Sequence, residues 1–179
     1  MMGWVKALVI VGAAVAGANV ASASLPAAVA DGEYGLAEVG SGKLSFFGFS
    51  IYDASLWTAD GEFAGFVAGR PVALSLWYKR AFSRSELLDI TRKAWERLGT
   101  GSQAQRAGWL EQLEAVWNDV DPGDNMTAVV LPGRETRFYD QTGFKGRIDD
   151  PELGPAFLGI WLDRESVVGD LRAELLGLK

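Results

Sequence analysis

The chain has 179 residues, 49% hydrophobic and 22% charged, the proportions of one packed domain and not of a disordered chain. Seventeen Lys and Arg against 23 Asp and Glu give a net charge of −6, so no nucleic-acid partner is expected, because such binding needs cations that displace phosphate counterions. The absence of His and Cys excludes Ser-His-Asp and Cys-His catalysis, His- or Cys-ligated metals and disulfides, and neither a metal nor a cofactor is expected.

The N-terminal stretch has the layout of a secretory leader. Met1 to Lys6 carries one positive charge, Ala7 to Val20 is apolar and small, and Ala21-Ser22-Ala23 is an A-x-A cleavage pattern. A second A-x-A, Ala28-Val29-Ala30, would allow cleavage as late as residue 30. The apolar run is shorter than the roughly 20 residues that span a bilayer. Residues 1–23 are therefore expected to be a signal peptide and 24–179 a single exported domain, periplasmic or secreted, with no membrane span after cleavage.

From Glu33 to Trp57 the chain reads as two strands, with Gly40-Ser41-Gly42 as the tight turn. Leu44 to Tyr52 has large apolar residues on both alternating faces, which predicts a central strand covered on both sides, with Gly48 at a bulge or close approach. Val72 to Arg80 reads as another strand. Ser83 with Glu86, and Ser102 with Gln105, are capping boxes that open two helices. The first carries Leu87, Leu88, Ile90, Ala94, Trp95 and Leu98 and stops at Gly99; the second carries Trp109, Leu110, Leu113, Val116 and Trp117. Asp121 to Asp124 is a turn, and Asn125 to Leu131 and Glu135 to Tyr139 are strands. Asp150-Pro151-Glu152 places an N-cap, a first-turn Pro and an acid, and a last helix runs through Val167, Val168, Leu171, Leu175 and Leu176 with Gly169 inside it. The sum is an α+β fold, an antiparallel sheet with helices on one face.

Few motifs carry chemistry. Asp119 to Asp124 lacks the third acid and the closing Glu of a calcium loop and reads as a turn. Asp149 and Asp150 are adjacent carboxylates in sequence only. The aromatic residues either fill the core or line a cleft between sheet and helices. On the second reading Phe47, Phe49, Tyr52, Trp77 and Tyr78, with Phe46, form apolar walls, and Lys43, Lys79 or Arg80 supplies a cation for an anionic head group.

Several segments together resemble the exported bacterial branch of the chalcone isomerase-like proteins. They are Gly48 to Trp57, Ala73 to Arg80, Trp95-Glu96-Arg97-Leu98-Gly99, Pro122-Gly123-Asp124, Ala156 to Asp163 and Leu171 to Gly177. The resemblance implies a large antiparallel sheet with helices packed on one face, an open-faced β-sandwich. It also implies a superfamily of flavonoid isomerases, fatty-acid-binding proteins and bacterial members of unsettled role. The isomerases use a strand Arg and Thr with a helix Tyr and Asn; the corresponding positions here are Gly35, Phe47, Ser83 and Ile90. With no Arg between the leader and Arg70, catalysis is not expected, since a preorganised charge partner is usually the largest catalytic contribution. The expected function is binding of a fatty acid, lipid or other apolar small molecule in the cleft. A structural or protein-interaction role with a filled cleft ranks second, and an isomerase-type lyase third.

Overall fold

The computed structural model describes residues 24–179; the expected leader, residues 1–23, lies outside the described residues. Six strands pair antiparallel in chain order: β1 (Ala37–Phe46), β2 (Phe49–Thr58), β3 (Val72–Tyr78), β4 (Asn125–Leu131), β5 (Glu135–Asp140) and β6 (Gly143–Ile148). A short helical turn, α1 (Ala27–Ala30), precedes the sheet; α2 (Arg84–Leu98) and α3 (Gln103–Val116) lie between β3 and β4; α4 (Leu153–Leu162) and α5 (Gly169–Leu175) follow β6. The fold is α+β, as the element order implies.

Period-two alternation decides which side meets the helices. Leu56, Leu74, Ala128 and Phe138 stand opposite one another across four strands, and all are buried beneath the helices. The helices answer with Leu87 and Trp95 from α2, Trp109 and Leu113 from α3, Phe157 and Leu158 from α4, and Leu171 and Leu175 from α5. Both capping boxes form, and Gly99 ends α2 in the left-handed conformation at φ +66°.

The turn in the first hairpin is not at Gly40-Ser41-Gly42. β1 continues through these residues, after a register shift between Glu38 and Gly40, and α5 packs on them. A side chain at Gly40 would meet the backbone carbonyls of Glu174 and Leu175, and one at Gly42 would meet Glu174 and Leu171. These glycines serve close packing, not reversal. The reversal is at Phe47 and Gly48, with φ of +49° and +81°, a two-residue hairpin turn with both central residues in positive φ. Leu44 to Tyr52 is therefore not one central strand but the tip of a hairpin at the sheet edge. Phe47 holds the left-handed conformation at a cost of about 1–2 kcal/mol that Gly or Asn would largely avoid.

Three other boundaries differ from expectation. β6 carries no alternating apolar signal; it is an edge strand with two exposed cations, Lys145 and Arg147, and Asp140 closes its turn by accepting from the Thr142 and Gly143 amides. α4 starts at Leu153, and Asp150 uses its carboxylate to accept from the Glu152 amide and from Trp109 Nε1. α5 begins at Gly169, so that glycine does not interrupt it.

The other face of the sheet is covered by the segment 24–36. Val29 and Tyr34 pack on Ala73, Val129 and Tyr139. Trp77 Nε1 donates to the Ser24 carbonyl at 2.7 Å, the Tyr34 and Tyr139 hydroxyls are 2.8 Å apart, and Arg137 donates to Tyr34 at 2.9 Å. A chain cleaved after Ala30 would lose Val29, which is 1% exposed. A protein starting at Asp31 is expected to be less stable than one starting at Ser24 by about 2 kcal/mol, the burial of one Val. In thermal melts this is a drop of roughly 4–8 °C; equal melting temperatures would show that the segment contributes nothing.

Candidate ligand-binding cavity

α5 sits on β1 at its two glycines. Toward the tip of the same hairpin, Leu44 and Ile51 instead face open volume. A cavity of about 400 Å³ lies there, between β1–β4 below and α2 and α4 above. Its size is within the range of sites for small organic ligands. The walls are almost wholly apolar: Leu76 and Met126 from the sheet, Phe82 and Ile90 from the α2 side, Phe157 and Ile160 from α4.

A few polar groups interrupt those walls, chiefly the hydroxyls of Tyr52 and Tyr78 and the indole N–H groups of Trp117 and Trp161. Tyr52 and Tyr78 pair across β2 and β3, with ring centroids 6.0 Å apart. Trp161 Nε1 donates to the Tyr52 oxygen at 2.9 Å, which leaves the Tyr52 proton to donate elsewhere. The Tyr78 hydroxyl has no hydrogen-bond partner among the described residues. Burial pushes Tyr52 up to about 12, partly offset by the Trp161 hydrogen bond. Burial, and then the neighbouring Tyr52, pushes Tyr78 up as well. At neutral pH both phenols keep their protons and act as donors, not bases. Trp117 also borders the cavity; its ring packs on Phe138 and Phe157, and its buried Nε1 has no partner.

Cations stand at the rim. Lys93 and Arg97 are exposed, lie one turn apart on α2 and border the cavity. Lys93 is held by Asp89 at 2.6 Å, whereas Arg97 makes no ion pair among the described residues. Arg97 is therefore the group most available to an anionic ligand.

The residues expected from sequence do not all reach the cavity. Tyr52 and Tyr78 line the cavity. Phe47 and Phe49 do not; they sit on the hairpin tip, 86% and 75% exposed. Trp77 points to the opposite face, where it bonds Ser24. Lys43 stands opposite Asp53 in the strand register, and Asp53 pairs with Lys79 at 2.8 Å. Arg80 stacks 4.4 Å from the centre of the Phe82 ring and touches the site only through that ring. No arginine lies on β1–β4, the strands that floor the cavity, but Arg97 reaches the rim from a helix. The signal for it was present: Ile90, Ala94 and Arg97 form a stripe beside the inward stripe of Leu87, Thr91 and Trp95.

A sheet of sequential strands, roofed by helices over an apolar cavity, is the architecture of the chalcone isomerase-like proteins. Residues 17–177 match that family, and the chain belongs to it. An uncharacterized protein of Haemophilus influenzae is 25% identical over 139 residues, which is 78% of this chain and 67% of that protein. The crystal structure of a fatty-acid binding protein from Arabidopsis thaliana superposes with a TM-score of 0.63 at 12% identity, covering 85% of this chain and 90% of that one. The two share the fold.

Proposed function

We propose that this protein is an exported, non-catalytic binder of a single-chain lipid of the fatty-acid class. The tail fills the cavity, and the carboxylate stays at the rim beside Arg97. The observation that carries this reading is an open apolar volume of about 400 Å³ with an uncommitted guanidinium at its edge. That volume favours it over a filled cleft. The Arabidopsis neighbour, a fatty-acid binding protein by its title, adds support at the level of the fold.

Charge placement follows from desolvation. A carboxylate carried into the interior would meet phenols and indoles but no cation, an expensive arrangement. At the rim it keeps water and gains Arg97. The interior phenols suit a neutral oxygen, such as a hydroxyl or keto group part-way along a chain.

The test is displacement of a fluorescent polyene fatty acid by palmitate and by methyl palmitate. Palmitate is expected to compete better, and Arg97→Ala to weaken palmitate by about fivefold, the range of an exposed ion pair, while leaving the ester unchanged. No binding of either competitor would refute the reading. Equal loss for acid and ester would remove Arg97 from it.

A further inference from the structure

We propose that the tip of the β1–β2 hairpin inserts into a lipid bilayer and seats the cavity rim on an anionic membrane surface. Phe46, Phe47 and Phe49 are 67%, 86% and 75% exposed. Of the eight large hydrophobic residues exposed among the described residues, these three and two rim residues, Ile90 and Val167, belong to the cavity end of the molecule. Isolated exposed apolar residues need no explanation, but a concentration at one end does.

The tip is built to present aromatics. A two-residue turn with positive φ ordinarily takes Asn-Gly; here Phe47 holds that conformation at the apex, against local preference. Its ring rests edge-on against Phe46, with centroids 4.5 Å apart, so the rings form a cluster. Phe46 stands opposite Phe49 across the ribbon. Behind the tip, Leu44 and Ile51 turn into the cavity. Apolar side chains therefore recur at alternate positions from the apex to the cavity wall, Phe46 then Leu44 on β1 and Phe49 then Ile51 on β2.

Charge agrees with an anionic bilayer. The chain as a whole is −6. At this end Lys43, Arg80 and Arg97 have no ion-pair partner among the described residues, and Lys79 pairs with Asp53 while Lys93 pairs with Asp89. Exposed cations around an apolar wedge are what phosphate-bearing head groups attract. A second copy of the chain fits less well. Three Phe side chains offer about 150–250 Å² apiece when fully buried, short of the roughly 800 Å² that each partner gives to a stable dimer. Resting on the fatty-acid reading, the docked geometry lets an acyl chain pass between bilayer and cavity without crossing water.

The test uses flotation with vesicles of phosphatidylcholine and phosphatidylglycerol, and with phosphatidylcholine alone. The chain has no Cys, so Ser45→Cys gives a unique site for an environment-sensitive dye beside the tip. Mixed vesicles are expected to bind the protein and shift the dye to an apolar signal, more strongly than phosphatidylcholine alone. The triple variant Phe46→Ser, Phe47→Ser, Phe49→Ser is expected to bind at least about tenfold more weakly, yet to take up the fluorescent fatty acid unchanged without vesicles. Wild-type protein that ignores mixed vesicles, or a triple variant that binds them equally well, overturns the proposal. So does a wild-type dimer in sedimentation that the triple variant dissolves. Fatty-acid uptake without vesicle binding refutes the docking alone; vesicle binding without uptake refutes the fatty-acid reading alone.

Discussion

Trp95→Ala is expected to lower the melting temperature by about 10–20 °C. Trp95 is 0% exposed and joins three helices: it lies on α2, packs edge-on against Trp109 of α3 with centroids 5.2 Å apart, and donates from Nε1 to the Ala156 carbonyl of α4 at 2.9 Å. Truncating a buried Trp costs about 3–5 kcal/mol, and the lost hydrogen bond adds about 1 kcal/mol. At this chain length each kcal/mol is worth roughly 2–4 °C. Trp95→Phe keeps most of the ring and is expected to lose only about 1–2 kcal/mol. Thermal melts and urea titrations of the two variants check both figures. Equal, small losses would mean that the three-helix junction closes around the gap. The same residue fixes the orientation of α2, because its inward stripe turns the neighbouring stripe, with Arg97, toward the cavity. Fatty-acid binding should therefore weaken in Trp95→Ala even at temperatures where the variant stays folded.

Elements whose signals are local were legible in the sequence. Two capping boxes, Gly99 after a helical pattern, and the apolar run of β4 each depend on neighbours within a few positions, and the structure has all of them. Gly40 and Gly42 were misread because their cause is distant: α5 lies more than 120 residues away in sequence and needs the space a side chain would fill. The hairpin tip was misread for a related reason. A run of large apolar residues normally means burial on both faces, and exposure of Phe46, Phe47 and Phe49 breaks that rule where a surface role is proposed. At the site, Tyr52 and Tyr78 followed from the strand pattern. Arg97 did not, because it reaches the rim from a helix, and the cavity itself is a property of packing that no single segment encodes.

Ala94→Phe is expected to weaken fatty-acid binding at least about tenfold while making the empty protein more stable. Ala94 is half-buried on α2 and borders the cavity, so a Phe ring at that position extends into open volume. Overpacking ordinarily costs about 1–3 kcal/mol because neighbours must move; here about 400 Å³ is already vacant. Burying the ring contributes about 1.5–3 kcal/mol, against roughly 0.5 kcal/mol of lost helix propensity. The net gain of about 1–2.5 kcal/mol should raise the melting temperature by roughly 2–10 °C. Affinity for palmitate should fall at least about tenfold, because the tail loses the methylene burial, each group worth about 0.8 kcal/mol, that the ring now occupies. Melts with and without ligand separate the two effects. Wild-type protein at a hundredfold excess over Kd gains about 2.7 kcal/mol, and at the same palmitate concentration Ala94→Phe should gain no more than about 1.4 kcal/mol. A variant that is more stable yet shifts with palmitate as much as wild type would place the ligand elsewhere on the molecule. A variant that neither gains stability nor binds would mean that the ring had displaced α2, and the smaller Ala94→Leu change would then separate filling from distortion.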